Sequence, residues 1–352
     1  MVDRNDVLDA LRGVEDPDLG DDIVSLGLVN DVTVGDAISV DLALGAPYSP
    51  TETAIAEEVR TVLSKFGLSV ELSASVDRGV APEDQILPGV KNIVAVASGK
   101  GGVGKSTVAV NLAAGLADRG ARVGLFDADV YGPNVPRMLD AGEQPKATQD
   151  GTMIPPEKYG MKLMSMDFLV GEDDPVIWRG PMVHKVITQL WEDVEWGALD
   201  YMVVDLPPGT GDTQLTMLQS VPVSGAVIVT TPQEVALDDA RKGLRMFGKH
   251  DTPVLGIVEN MAGFRCPDCG STHDIFGAGG GERFAEGNDM PFLGSVPLDP
   301  AVREGGDDGR PAVLDDDSET GEALREFVRT AADMQGIVHR RRTQQQAGAP
   351  EQ

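Results

Sequence analysis

Residues 93–107 read IVAVASGKGGVGKST, and the way this stretch folds decides how the rest of the chain is read. IVAVA is a short, continuous apolar run of the kind a buried strand shows, and VAVNLAAGLADRG (108–120) continues with a helical pattern. Between them Gly99, Gly104, Lys105 and Ser106 satisfy the spacing G-x-x-x-x-G-K-[ST] in the strand-to-helix setting that gives this motif meaning. Gly101, Gly102 and Val103 fill the loop, where backbone N–H groups can close on phosphate oxygens. Lys105 is placed to reach the outer phosphates, Ser106 to ligate Mg2+, and Thr107 follows as the helix starts. The expected ligand is ATP with Mg2+.

Working outward, further apolar runs alternate with helical patterns: RVGLFDAD (122–129), YMVVDLPPG (201–209), GAVIVTT (225–231), PVLGIVEN (253–260) and FLGSVPL (292–298). Runs this continuous are buried on both faces, which predicts an α/β fold with a mainly parallel sheet flanked by helices. Ligands of such sheets bind at the carboxyl ends of the strands, so the residues closing each run are the site candidates. Asp127 and Asp129 close one run and Asp205 another. An acid there can orient the attacking water or hold magnesium, since phosphoryl transfer needs positioning more than covalent chemistry. Asp129 is the expected water-positioning residue, Asp205 the magnesium-side acid, and residues 207–211 a nucleotide-sensing turn. Either acid at 127 or 205 could instead cap a helix.

The remaining sequence divides by composition. Residues 1–77 carry a helical pattern (Val7, Leu8, Leu11), a strand pattern in ISVDLAL (38–44) and a second helical run at Ile55, Val59, Val62, Leu63 and Phe66, which predicts a small α/β domain. DRGVAPEDQILPGV, with two prolines, reads as a linker over 78–90. The larger domain is expected over 91–335. The stretch from 336 to 352, which contains HRRRTQQQAGAPEQ and the basic cluster Arg340 to Arg342, reads as a disordered tail.

Two cysteines in 352 residues exclude a disulfide framework, and MVDRNDVLDALRG lacks the apolar run of a signal peptide, so a cytoplasmic location is expected. No stretch is apolar for long enough to span a membrane. The 57 acidic and 29 basic residues give a formal net charge of −28. At about 1 M salt the Debye length falls to ~3 Å and such self-repulsion is screened, so a halophile's cytosol is the expected setting. The same acidity argues against a nucleic-acid partner, whose binding rests on counterion release.

The run KGGVGKST resembles the deviant phosphate loop of the MinD/ParA-like class. In that class the additional lysine, here Lys100, reaches the nucleotide of a partner subunit, so the resemblance implies a face-to-face homodimer. An asparagine at the position of Asn260 lies on the adenine ring in the same class. GKGGVGKST, DADVYGPNVP, DLPPGTGD, ENM and CPDCG also occur in the order seen in Mrp/ApbC-type iron-sulfur cluster carrier ATPases, a likeness covering about residues 90–335. Asn134 stands where that family usually has serine. EDPDLGDDIVSLGLVNDV (15–32) resembles the small domain of iron-sulfur assembly proteins, but the usual cysteine of its GAPYSP loop is replaced by Ser49, which leaves a docking role.

Both cysteines, Cys266 and Cys269, lie in FRCPDCG (264–270). C-x-x-C aims two sulfurs at one metal, half of a tetrahedral set. Zinc with His273 as a third ligand and a redox dithiol are alternative readings. A twofold axis would bring four thiolates together, as a [4Fe-4S] cluster requires. The resemblance therefore implies a homodimeric carrier that passes a cluster to apoprotein acceptors, with slow ATP hydrolysis. A positioning or partition ATPase and a zinc-stabilised NTPase are the alternatives.

Overall fold

A computed structural model describes residues 2–75, 87–169, 180–266 and 269–347. The chain divides into two compact units, residues 1–84 with 332–352, and residues 85–331. Most of the expected linker, and the boundary at 77/78, fall outside the described residues.

The smaller unit opens with α1 (Arg4–Leu11), started by a capping box in which the Asp3 and Asp6 carboxylates each accept the other residue's backbone N–H. β1 (Val29–Val34) pairs antiparallel with β2 (Ala37–Leu42), and α2 (Pro50–Ser64) returns the chain to β3 (Ser69–Ala74), parallel to β2. Val7, Leu11, Ile38, Val40, Ile55, Val59 and Leu63 share one core, as their periodicities require. The strand expected through Leu44 ends at Leu42. Beyond it the Gly45 and Ala46 N–H groups donate to the Glu52 carboxylate instead of to a neighbouring strand. Ser49 is the buried N-cap of α2, its hydroxyl accepting the Glu52 N–H.

In the larger unit β4 (Val90–Ser98) leads through α3 (Lys105–Asp118) to β5 (Val123–Asp127), α4 (Val135–Met138) and β6 (Met161–Ser165). α5 (Gly180–Glu192), β7 (Leu199–Asp205), α6 (Asp212–Ser220), β8 (Gly225–Thr230) and α7 (Glu234–Lys249) follow. The unit continues through β9 (Val254–Arg265), α8 (Gly280–Glu286), β10 (Phe292–Leu298) and α9 (Pro300–Asp307) to α10 (Glu319–Ala347).

The sheet order is β6-β5-β7-β4-β8-β9-β10, every neighbouring pair parallel. Residues 157–158 pair antiparallel with β6, and residues 272–273 with the end of β9. All residues of β5, β7 and β8 are buried, which accounts for their unbroken apolar runs. The core on the sheet includes Ile93, Phe126, Met202, Ile228 and Ile257, with Phe126 edge-on to Trp191 at 4.5 Å. The chain builds on one side of β4 as far as β7 and on the other from β8. The carboxyl end of β4 is thus the topological switch point, where open α/β sheets take their ligands.

The expectation of a disordered tail from 336 is corrected. α10 runs to Ala347, and its residues from Ala332 onward belong to the smaller unit. Arg340, read from sequence as part of a basic cluster in a disordered tail, is fully buried. Its guanidinium lies 2.6 Å from Asp16, 2.5 Å from Asp18 and 3.0 Å from Glu52. Three carboxylates converging on one cation hold the segment as helix.

Candidate functional site

β4 delivers the chain into the phosphate loop at Ser98, and two of the loop's glycines are dictated by close neighbours. A Cβ on Gly99 would stand 2.2 Å from the Asp239 carbonyl oxygen on α7, so this position is fixed by helix packing as well as by any ligand. Gly104 has φ 82°, and a Cβ there would meet the Asn260 amide nitrogen at 2.0 Å. Gly101 and Gly102 are exposed, with open space where side chains would be. Ser98 stitches the loop to its surroundings, its hydroxyl donating to the Lys100 carbonyl and its own carbonyl accepting the Gly209 N–H, both at 2.9 Å. The turn at 207–211 is thereby tied to the phosphate loop.

Lys105, the first residue of α3, is buried with its ammonium 2.5 Å from Asp205, 3.6 Å from Asp129 and 3.4 Å from the Ser106 hydroxyl. Burial pushes the Asp205 carboxyl up from the ordinary carboxylate range, and the Lys105 ammonium pulls it back. One oxygen of Asp205, Oδ2, is buried without a hydrogen-bond partner among the described residues. A buried carboxylate oxygen beside a hydroxyl is a donor set of the kind Mg2+ and its bound waters fit, so Asp205 and Ser106 are the residues that would hold the metal.

Asp127 pairs with Asp205 in the register of β5 and β7. Burial, then repulsion from Asp205, raises its carboxyl to about 8. Its oxygens accept from the Asp129 N–H (3.2 Å), the Val135 N–H (3.1 Å) and the Ser165 hydroxyl (3.1 Å). Asp127 thus organises the loop that presents Asp129, and it is Asp129, not Asp127, that lines the cleft.

That cleft has a volume of about 610 Å3 and is walled by Lys100, Ser106, Asp129 and Asn260, with Arg137, Met138, Leu298 and Val302 opposite in sequence but adjoining in space. The volume lies in the range of small-molecule sites. Lys100 and Arg137 give the cleft two cations besides the paired Lys105, alongside the carboxylates of Asp129, Asp299 and Asp307. Asn260 donates its amide to the Val103 carbonyl at 2.9 Å, clamping the loop from β9. Asn134 turns its amide to the Gly132 carbonyl at 2.7 Å.

Five residues after Asn260 the same strand ends at Arg265, where it forms one arm of a hairpin. Phe264 lies opposite His273 and Arg265 opposite Thr272. Cys266 is half-buried and Cys269 exposed, with Pro267 and Asp268 outside the described residues. The Cys266 N–H donates to the Ser271 carbonyl and its carbonyl accepts the Gly270 N–H, both at 2.9 Å. The Cys269 sulfur lies 3.3 Å from the Ser271 hydroxyl, whose hydrogen bond lowers the thiol below its usual value. Among the described residues no three His, Cys, Asp or Glu side chains come together as a metal set, so His273 is not gathered to the thiols. The phosphate motif does not flag Arg137 or Ser271. Arg137 is legible only as a cation one helical turn beyond Asn134, and Ser271 only as a hydroxyl two positions past the second cysteine.

Among the described residues no helix is long and apolar enough to cross a membrane. A ParA family model described as NUBPL iron-transfer P-loop NTPase matches residues 89–332, and a model of iron-sulfur cluster assembly proteins matches residues 4–74. The chain is 47% identical over 344 residues to the iron-sulfur cluster carrier protein of Synechocystis, covering 94% of this chain and 98% of that one. It is 49% identical to the protein of the same name from Deinococcus radiodurans, over 93% of this chain and 94% of the other. Of solved structures, the nucleotide-binding protein of Archaeoglobus fulgidus in complex with ADP superposes with a TM-score of 0.57 at 38% identity, over 64% of this chain and 89% of that one. The cell division ATPase MinD of Pyrococcus furiosus does so with a TM-score of 0.53 at 24% identity, over 69% and 98%, a likeness of fold.

Proposed function

The chain belongs to the iron-transfer P-loop NTPase family, and on that premise we propose that it is an iron-sulfur cluster carrier whose homodimer holds a [4Fe-4S] cluster and passes it to apoproteins in the cytoplasm. The observation that carries this reading is the hairpin at 264–273, which offers one exposed and one half-buried thiol from the strand that clamps the phosphate loop. Two thiolates leave half of a cluster's ligands to be found. A second copy supplies them about a twofold axis, as four thiolates suit such a cluster.

ATP is bound by the 99–107 loop, with Lys105 drawn from its carboxylate partners toward the outer phosphates. Ser106 and Asp205 would hold Mg2+, which would supply charge neutralisation on the phosphates. Asp129 orients the attacking water. Asp127 keeps the 129–135 loop in place, and Asn260 serves the base by positioning the loop beside it. Lys100 crosses to the partner's nucleotide, so hydrolysis and dimer state are linked. The smaller unit, with Ser49 in place of a thiol, contributes docking to acceptors and no ligand.

The test mixes intact protein with a Cys266→Ser, Cys269→Ser form and measures anaerobic iron and sulfide per chain after subunit exchange. A shared cluster makes occupancy follow the square of the intact fraction, so that about a quarter of dimers are competent at equal mixing. A linear dependence, or zinc in place of iron, would overturn the shared-cluster reading in favour of an intrachain site.

A further inference from the structure

The two cysteines of the hairpin are not equivalent. Cys266 is held through its main chain at both ends, N–H to the Ser271 carbonyl and carbonyl to the Gly270 N–H, and is half-buried. Cys269 is exposed, and among the described residues its sulfur lies 3.3 Å from the Ser271 hydroxyl and also meets the Cys266 side chain. Ser271 therefore touches both cysteines, gripping the backbone of one and the sulfur of the other. A hydroxyl serves as acceptor or donor by rotating its hydrogen. It accepts from Cys269 as a thiol and donates to it as a thiolate.

We propose that Ser271 is a positioning residue that makes Cys269 the sulfur that releases the cluster first, while Cys266 remains the anchor. This inference rests on the cluster-carrier reading. A hydrogen bond donated to an iron-bound thiolate draws electron density from the sulfur, weakens its bond to iron and raises the reduction potential of the cluster. Among the described residues it is the Cys269 sulfur that the Ser271 hydroxyl reaches. Being exposed, that sulfur is also the one an incoming ligand can reach. The exchange is a simple substitution. An acceptor thiolate forms a bond to iron as the bond from iron to the Cys269 sulfur breaks, and the electron pair leaves with that sulfur. The proton the acceptor thiol gave up ends on Cys269, and no iron changes oxidation state.

The experiment compares full-length wild type, Ser271→Ala and Ser271→Thr, each reconstituted anaerobically. Ser271 is exposed, and threonine keeps the hydroxyl. Three quantities are read: iron and sulfide per chain, the midpoint potential of the cluster, and the rate at which excess dithiothreitol, as a small dithiol acceptor, removes the iron. Loss of one hydrogen bond of about 1 kcal/mol predicts release about fivefold slower in Ser271→Ala, with a lower midpoint potential, and Ser271→Thr close to wild type in both. Equal rates and potentials in all three, at equal iron content, would overturn the proposal. So would an alanine variant that loses its iron while the threonine variant keeps it, because the hydroxyl would then serve retention. A wild type that binds no iron-sulfur cluster at all would fail the carrier reading itself, and iron content reports that separately.

Discussion

Arg340→Met is expected to destabilise the smaller unit while leaving the nucleotide site of the larger unit working. The guanidinium is fully buried, at 2.5 to 3.0 Å from Asp18, Asp16 and Glu52. Methionine retains much of the stem, so the perturbation is electrostatic rather than a cavity. Removing one partner of a buried ion pair costs about 3–5 kcal/mol, because the charge left behind stays desolvated. Here Asp16 and Glu52 are both left behind in the interior. A unit of about a hundred residues is stable by only about 5–15 kcal/mol, so the change removes a large part of its margin. The loss has a pH signature. Burial already holds the Asp18 and Glu52 carboxyls above their ordinary values, with Arg340 pulling them down. Folded-state values above the unfolded ones mean that the folded unit binds the extra protons, so stability falls as pH rises through that window. Without Arg340 the window widens upward, and the variant should be weaker at pH 8 than at pH 5 by more than wild type is. Hydrogen exchange on the full chain should show protection in α1 and α2 reduced by about 10²–10³-fold at pH 8, with β4 and β7 unchanged. Wild-type protection in α1 and α2 at both pH values would refute the reasoning. Arg340→Lys should fall between the two, since one ammonium cannot match three carboxylates as a planar fork does.

Lys105→Ala should abolish ATP binding and Lys100→Ala should retain binding while losing hydrolysis, read by nucleotide titration and phosphate release; equal loss of binding in both would remove the cross-subunit role of Lys100. Asp127, raised from 3.8 to about 8 by burial and by Asp205, makes the nucleotide-free protein lose stability as pH rises from about 4 to 8. Asp127→Asn should flatten that fall in the melting temperature, and parallel slopes for the two proteins would count against it. Asn260→Ala frees the Val103 carbonyl and should weaken ATP binding roughly fivefold to tenfold through a looser loop, the value of one buried hydrogen bond. An unchanged affinity would show that the clamp does not position the loop.

What was legible in the sequence is what repeats locally. The phosphate loop needs glycines, a lysine and a hydroxyl at fixed spacing between a strand and a helix, and all of that lies within fifteen consecutive positions. The sheet announced itself because strands buried on both faces leave unbroken apolar runs. Roles fixed by distant partners were harder to read. Arg340 looked like one of three solvated arginines because its partner Glu52 lies 288 positions away and Asp18 lies 322 away. Asp127 was read among the residues closing a strand at the nucleotide, and only the structure shows one of its oxygens taken by the Asp129 N–H and the other by the Val135 N–H and the Ser165 hydroxyl of β6. Asn260 closes the apolar run read from the sequence, but β9 continues past it to Arg265, and its amide meets Val103, 157 positions earlier.

The phosphate loop and the thiols are parts of one strand's geometry. On β9 the adjacent residues Glu259 and Asn260 hold two different segments: the buried Glu259 carboxylate accepts the Gly281 N–H at the start of α8, and Asn260 holds the phosphate loop. The cysteine hairpin lies between Asn260 and α8, so both of its ends are anchored by these neighbours. Just beyond the pair the strand departs from regular pleating. Met261 has φ 59° and Gly263 φ 71°, and the pairing with β10 slips between Asn260 and Phe264. A non-glycine residue in the left-handed region costs about 1–3 kcal/mol and persists only where its surroundings impose it. Here the imposing contacts are the two clamps on one side and the hairpin pairing of Phe264 and Arg265 on the other. The strained joint at Met261 thus lies one residue past the Val103 clamp and five residues before Cys266.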